Sequence, residues 1–192
     1  MSPIPLGIFA ASGAGAVATD FELIQSTVLS STTTSITFSS IPATYTHLQL
    51  RVVARRRPTD GASIRDIHLR INGVTGINAY ESGEGLRAIG STIAGLAPGD
   101  LEESIEINDA LPGDSFSSSS FGVLVIDIPD YRVAKRKHLK VFKGIAGATG
   151  SVSLGGGRNA ATTTITSIAL LNATASDHFA IGSRFSLYGI KG

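Results

Sequence analysis

Apolar and polar residues alternate along much of the chain. In the stretch HLQLRVVAR, Leu48, Leu50 and Val52 fall on one face and the polar residues fall on the other. Because successive side chains of a strand point to opposite faces, this period predicts a half-buried β-strand. The stretch IRDIHLRIN repeats the pattern and ends at the turn signal Asn72-Gly73, which predicts a second strand.

One strand shows a different pattern, because its apolar run is continuous from Val123 to Ile126. Such a run is typical of a strand that is buried on both faces or lies at the centre of a sheet. Pro129 ends this strand. Further strands are predicted at 22–28, 34–39, 101–107, 138–146, 150–155, 163–171 and 179–190.

Clusters of glycine, serine, asparagine and proline separate the strands. The stretch 80–99 is glycine-rich and weakly patterned, which predicts a long surface loop with room for one turn of helix. Gly182 is expected to mark a β-bulge in the last strand, whose sequence stays apolar almost to its end. About ten short strands without a helical stripe predict an all-β, antiparallel β-sandwich over residues 21–192.

The first 20 residues form a separate segment, with no charged side chain before Asp20. A membrane span needs roughly 20 apolar residues in a row, and prolines and glycines interrupt this run. A secretory signal fits the stretch AVA at 16–18 as a cleavage site, but it needs a positive region ahead of the apolar run. We therefore expect an extended N-terminal arm that docks on a partner subunit. Its predicted contact residues are Ile4, Leu6, Ile8 and Phe9.

Composition and charge narrow the range of partners. Lysine and arginine total 16 against 15 aspartates and glutamates, so the net charge is +1 at pH 7 and no general attraction to nucleic acid or membrane lipid is expected. The absence of cysteine excludes disulfides and thiolate metal sites. The 22 glycines and the lack of tryptophan suit strands joined by turns better than a helical enzyme.

Several stretches of the chain are similar to one known group of proteins. They are TSITFSSIPATYTHLQLRVVAR, FGVLVIDIPDY, the terminal RFSLYGIKG and the leader PIPLGIFAASGAGA. They resemble small virion-associated structural or tail proteins of tailed bacteriophages. The resemblance covers most of the chain and rests on strand and turn sequences. It implies a β-sandwich of jelly-roll type on a phage capsid or tail, and it implies no catalytic residue.

Candidate catalytic and metal-binding residues are few. Glu102 and Glu106 could flank a sugar ring as a glycosidase pair does, but the aromatic platforms of such sites are missing and a solvated strand edge is favoured. The stretches PGDLEE and NDALPGD offer oxygen ligands for calcium without the EF-hand pattern. We expect no enzyme activity, no cofactor and no metal site. The four histidines lack ligand spacing, and they are His47, His68, His138 and His178.

Two basic clusters stand out, RRR at 55–57 and RVAKRKHLK at 132–140. Only Tyr131 lies near them for base stacking, so nucleic-acid binding is not expected. Solvated turns, or salt bridges to an acidic neighbouring subunit, are the favoured roles. The predicted basic contact patch consists of Arg55, Arg56, Arg57, Arg132, Lys135, Arg136 and Lys137.

The leading hypothesis is a non-enzymatic virion structural protein, a capsid decoration or tail-associated subunit. Its expected partners are itself, as a homo-oligomer for which a trimer is favoured on virion analogy, and the major capsid or tail proteins. The alternative is a module of the tail that binds a receptor or host surface glycan through loops at 56–64, 80–99 and 112–121. A hydrolase that uses Glu102 and Glu106 is the third hypothesis.

Overall fold

A computed structural model describes residues 20–57, 61, 64–83, 85–89, 91–96, 101–146, 150–172, 174 and 176–192, except the side chains at 96, 101 and 102. Within these residues the chain forms strands and turns and no helix. The strands are β1 (Phe21–Val28), β2 (Ser35–Phe38), β3 (His47–Ala54), β4 (Arg56–Arg57), β5 (Ile64–Ile71), β6 (Tyr80–Ser82), β7 (Gly85–Ile89), β8 (Thr92–Leu96), β9 (Leu101–Glu102), β10 (Ile105–Pro112), β11 (Gly122–Ile128), β12 (Lys137–Ile145), β13 (Ser151–Asn159), β14 (Ile168–Asn172), β15 (His178–Phe179) and β16 (Arg184–Ile190).

Eight of these strands form a jelly roll. In chain order they are β1, β2, β3, β5, β10, β11, β14 and β16. One sheet contains β1-β16-β3-β11 and the other contains β2-β14-β5-β10, so the first strand of the eight pairs with the last and the second pairs with the seventh. Every pairing among them is antiparallel. The predicted all-β antiparallel sandwich of jelly-roll type is confirmed.

An insertion extends the first sheet well beyond the jelly roll. The hairpin of β12 and β13 follows β11 and pairs with it, and β6 and β7 pair with different parts of β13. β9 pairs with β6, and β8 pairs with β7. We call this ten-stranded sheet the large sheet. β4 and β15 form a separate two-stranded sheet.

The inward residues of the alternating strands make one hydrophobic core. Leu48, Leu50 and Val52 of β3 are fully buried, as the sequence pattern predicts, and so are Phe185 and Leu187 of the neighbouring β16. Fully burying one such side chain contributes about 1.5–3 kcal/mol. The alternation therefore decides which face of each strand points to the other sheet.

Strand β11 lies between β3 and β12, at the centre of the large sheet, as predicted. Its inward residues Leu124 and Ile126 are fully buried, whereas Val123 on the opposite face is 47% exposed. The alternative expectation of burial on both faces is therefore wrong for the single chain. Val123 and Val125 are thus outward apolar residues of this strand, and its third outward residue is Asp127.

The predicted surface loop at 80–99 is wrong, because β6, β7 and β8 lie within it. These strands are short, and β6 and β7 are joined to the large sheet by their pairing with β13. The predicted bulge at Gly182 is instead a turn between β15 and β16, where this glycine has a φ of 83°. The Asn72-Gly73 turn is confirmed, with φ values of 53° and 66°.

The N-terminal arm, 1–20, falls outside the described residues except for Asp20. Its predicted contacts through Ile4, Leu6, Ile8 and Phe9 stay a prediction. In the part of the chain that the structure describes, there is no helix of the length and apolarity that crossing a membrane requires.

Candidate functional site

The outward side of the large sheet carries two adjacent rows of apolar residues. The register brings Val53, Val123, Gly144, Val152, Ala88 and Ile93 side by side in one row. The neighbouring row contains Val125, Phe142, Leu154, Leu86 and Gly95. No charged residue stands within either run. We call these eleven positions the outer apolar face.

The outer apolar face is exposed to a degree that is unusual for aliphatic and aromatic residues. The exposed fractions are 50% for Phe142, 57% for Leu154, 58% for Leu86 and 75% for Ile93. The exposed side chains of the two rows present apolar surface on the order of 600 Å², which is at the upper end of the about 300–600 Å² that the largest patch on a typical monomer covers. A surface of this kind marks an interaction site.

A groove of about 350 Å³ runs along one margin of this face. Phe121 from the preceding loop, Val123 and Phe142 line it, together with Val152. The groove makes this margin of the face concave. A concave apolar surface favours a partner of complementary shape.

Polar side chains border the outer apolar face on β3 and β11. Gln49 donates a hydrogen bond to Asp127 at 2.7 Å, and the Arg51 guanidinium lies 5.0 Å from the ring centroid of Phe21 and 5.4 Å from that of Tyr188. Cation–π contacts of this kind contribute roughly 0.5–1 kcal/mol at exposed sites. The outer apolar face thus ends at a row of polar residues that pair with each other.

The predicted basic contact patch is corrected by the structure, because three of its seven residues are buried. Arg56 is fully buried, and its guanidinium pairs with Asp177 and donates to the Asp66 carbonyl. Arg55 is 7% exposed and donates to the Gly113 carbonyl at 2.6 Å. Both guanidiniums are used to hold loops in place, which leaves little of either for a partner.

The second cluster also turns one lysine inward. The Lys137 ammonium donates to the carbonyls of Val133, Lys135 and Thr162, and burial lowers its pKa. Arg132, Lys135 and Arg136 remain exposed.

The two basic clusters also lie at opposite ends of the sandwich. Ala54 and Gly122 pair at one end of the β3–β11 ladder, and Leu48 and Ile128 pair at the other. Arg57, the exposed residue of the first cluster, follows the Ala54 end, and the second cluster follows Ile128. Seven residues of strand separate the ends by roughly 20 Å. Within the described residues, the seven predicted basic residues therefore do not form one continuous patch.

A polar pocket of about 300 Å³ lies near the end of the sandwich that carries Arg57. Arg57, Asp114 and Ser118 contribute its polar groups, and Ala180 and Ile181 form an apolar wall. The Arg55 guanidinium forms an ion pair with Asp114, with 3.3 Å between nitrogen and oxygen. The pocket therefore combines a positioned carboxylate, a guanidinium and a hydroxyl, and it involves the loop predicted at 112–121.

Inside the sandwich, one lysine stands out. Lys143 of β12 is only 4% exposed, and burial lowers its pKa to about 8, with Asp66 opposing and Arg87 reinforcing the effect. Burial also raises the pKa of Asp66, against the opposite influence of Lys143 and other nearby cations. The side chain lines a small cavity of about 30 Å³ together with Glu106.

The structure brings together none of the other candidate residues. His68 bonds to Ser104 at 2.7 Å, and His47 lies 3.7 Å from Asp130. No group of three histidines, aspartates or glutamates with the geometry of a metal site occurs among the described residues. The side chain of Glu102 lies outside the described residues, so its pairing with Glu106 stays a prediction.

The outer apolar face and Lys143 were both missed as sites by reasoning from the sequence. The sequence signal for the face is the continuous apolar run in β11, which predicts burial on both faces or a place at the centre of a sheet and does not distinguish them. No protein-family model matches this sequence, and no curated protein matches it either.

Proposed function

We propose that this chain is a non-enzymatic structural subunit of a tailed-bacteriophage particle, which assembles through its outer apolar face. The observation that carries the proposal is the exposed outer apolar face of the large sheet, which begins on the jelly-roll strands β3 and β11 and continues onto β12, β13, β7 and β8. The resemblance of its strand sequences to phage virion proteins supports the same assignment. The jelly roll is a fold of many viral capsid proteins, although fold alone does not decide function.

The occupant we propose for the face is a second copy of this chain. Stable interfaces bury about 800 Å² on each partner, and the face supplies apolar area on the order of 600 Å² before its rim is counted. Two such sheets can pack about 10 Å apart with their side chains interdigitated. Contact of this face with the same face of a second copy closes as a twofold dimer. The trimer that virion analogy favours would instead need the face to meet a different surface of its neighbour. The N-terminal arm would add contacts to capsid or tail proteins.

Phe142→Asp is expected to release folded monomers, because a carboxylate at the centre of the face must lose its water to stay in the interface. Light scattering after size exclusion should give a multiple of 19.8 kDa for the unaltered chain and a single chain for the variant. Lys140→Asp is the matched control, since Lys140 is also outward on β12 but lies beyond the face. A monomeric unaltered chain, or an unchanged mass for Phe142→Asp, would contradict the proposal.

The place in the particle requires a separate measurement. Labelled antibodies against the chain, imaged on purified particles of a phage that carries it, should mark the capsid or tail surface. Capsid labelling assigns a decoration role and tail labelling assigns a tail role. Unlabelled particles would contradict a virion function while leaving the oligomer intact.

The second candidate function is binding of a host surface glycan, and the polar pocket at Arg57 and Asp114 favours it. Its volume suits a small sugar unit, and charged groups bond strongly to sugar hydroxyls. On a glycan array, Arg57→Ala should lower binding at least about tenfold, because a hydrogen bond to a charged group is lost. Arg136→Ala, an exposed cation of the other cluster, serves as control. Equal binding by both variants would exclude this pocket.

A further inference from the structure

The polar pocket at the Arg57 end of the sandwich carries a positive charge that is not balanced. Among the described residues, its charged lining groups are Arg55, Arg57 and Asp114, which are two guanidiniums against one carboxylate. Arg55 and Asp114 form an ion pair at 3.3 Å, so their charges offset each other. Arg57 is exposed and has no hydrogen bond or ion pair within the described part of the chain. The pocket therefore offers one free guanidinium to a ligand.

The walls of this pocket are held in place by Arg55, which also lines it. Arg55 is 7% exposed, and its guanidinium donates to the carbonyls of Gly113 at 2.6 Å and Phe116 at 3.4 Å. These bonds hold the loop that carries Asp114. On the other side, the Ala180 amide donates to the Arg55 carbonyl at 2.9 Å. Because bonds within the chain already hold both walls, a ligand does not have to order them, which lowers the entropic cost of binding.

The lining groups indicate the chemistry of the ligand. A free guanidinium binds a carboxylate through two parallel hydrogen bonds. Asp114 accepts hydrogen bonds from hydroxyls, and the Ser118 hydroxyl donates or accepts them. Ile181 is 59% exposed and forms the apolar wall with Ala180, and an apolar wall suits the C–H face of a sugar ring. A sugar that bears a carboxylate combines all of these features in a unit that suits a pocket of about 300 Å³.

We propose that this pocket binds an acidic sugar unit of the uronic or sialic acid class. The carboxylate of the sugar pairs with Arg57, and its hydroxyls bond to Asp114 and Ser118. This assignment rests on the second candidate function, glycan binding at the same pocket, and it narrows that function to one class of glycan. A neutral sugar would leave the Arg57 guanidinium without a charged partner.

Two methyl glycosides that differ at one carbon test the assignment. Methyl β-glucuronide has a carboxylate where methyl β-glucoside has a hydroxymethyl group. When each is titrated into the full chain and followed by ligand-observed NMR, the Kd of the glucuronide should be at least about tenfold lower, because hydrogen bonds between charged groups are stronger than those to a neutral hydroxyl. Acetate should bind much more weakly than the glucuronide, since it has no ring and no hydroxyls.

Variants at one exposed position separate charge from geometry. Arg57→Ala should give the two glycosides equal Kd values. Arg57→Lys should keep part of the preference, because an ammonium retains the charge but lacks the planar pair of donors. Arg136→Ala, at an exposed cation of the second basic cluster, is the matched control and should bind like the unaltered chain. On the glycan array, the binding that Arg57→Ala abolishes should be confined to glycans with acidic units.

The possible failures of this test are distinguishable. Equal affinity of the unaltered chain for both glycosides, or Arg57-dependent array binding to neutral glycans alone, would overturn the acidic class and leave glycan binding in place. Equal Kd values for acetate and the glucuronide would show a carboxylate site that does not recognise a sugar, and would also overturn it. If neither glycoside binds and no array signal depends on Arg57, glycan binding at this pocket is itself wrong.

Discussion

Deletion of residues 185–192 is expected to leave the chain unfolded and insoluble. Strand β16 lies between β1 and β3 in the large sheet, so its loss leaves β1 without a partner and opens the core. Phe185 and Leu187 are fully buried, and removing such side chains costs about 2–5 kcal/mol each. The deletion also removes the hydrogen bonds of the strand ladder. The combined loss is comparable to the whole free energy of unfolding of a domain, which is roughly 5–15 kcal/mol.

Soluble yield and far-ultraviolet circular dichroism measure the outcome. Removal of Gly192 alone is the matched control and should leave the fold intact, because this residue lies beyond β16 and is exposed. A soluble product of the longer deletion that unfolds cooperatively would show that the C-terminal strand is dispensable.

Arg56→Ala is expected to lower the free energy of unfolding by about 3–5 kcal/mol, the usual cost of removing one partner of a buried ion pair. Arg56 is fully buried, and the Asp177 side chain that it pairs with is 3% exposed. Arg65 Nε approaches the same carboxylate at 3.7 Å from a second side, so some compensation remains. The variant leaves the Asp177 carboxylate buried without its Arg56 partner, and it leaves a void where the arginine side chain was.

Equilibrium unfolding in urea measures this effect as a shift of the midpoint. Arg57→Ala is the control, because this neighbour on β4 is exposed, and its effect should stay within about 0.5 kcal/mol. Replacing both partners, as in Arg56→Met with Asp177→Leu, should recover most of the loss, since no charge is then left buried. Equal midpoints for Arg56→Ala and Arg57→Ala would contradict the structural role.

The jelly-roll topology itself could be anticipated only in part from the sequence. The alternation in β3 predicts that Leu48 and Leu50 face the core, and burial confirms it. Strand order does not follow from alternation, because pairing β1 with β16 joins residues about 160 positions apart in sequence. The order is therefore visible only in the tertiary structure.

The strands at 80–99 show why local patterns fail at the insertion. Gly85 and Gly95 weaken the β-signal, and a glycine interior normally disfavours a strand. In the structure, Leu86 and Ala88 find partners on β13. Hydrogen bonds across the sheet override the weak local preference, and these bonds depend on where the β12–β13 hairpin lies.

The arginines at 55–57 likewise show that a local pattern of charge does not predict which side chains are buried. Three like charges in sequence predict a solvated turn, yet Arg56 turns inward because Asp177, 121 positions later, meets it there. Lys143 likewise lies on the inward side of β12, where the period of Leu139 and Val141 places it. The alternation along β12 predicts that position 143 faces inward. It does not show that a lysine can be buried at that position.

From the sequence alone follow the all-β class, the inward residues of most strands and the lack of cysteine chemistry, because each depends on composition or on a period of two along one strand. Only the tertiary structure decided the outer apolar face, the buried Arg56–Asp177 pair and the burial of Lys143 opposite Asp66. Each of these joins side chains from strands far apart in the chain. Their neighbours are set by sheet register, which no local pattern encodes.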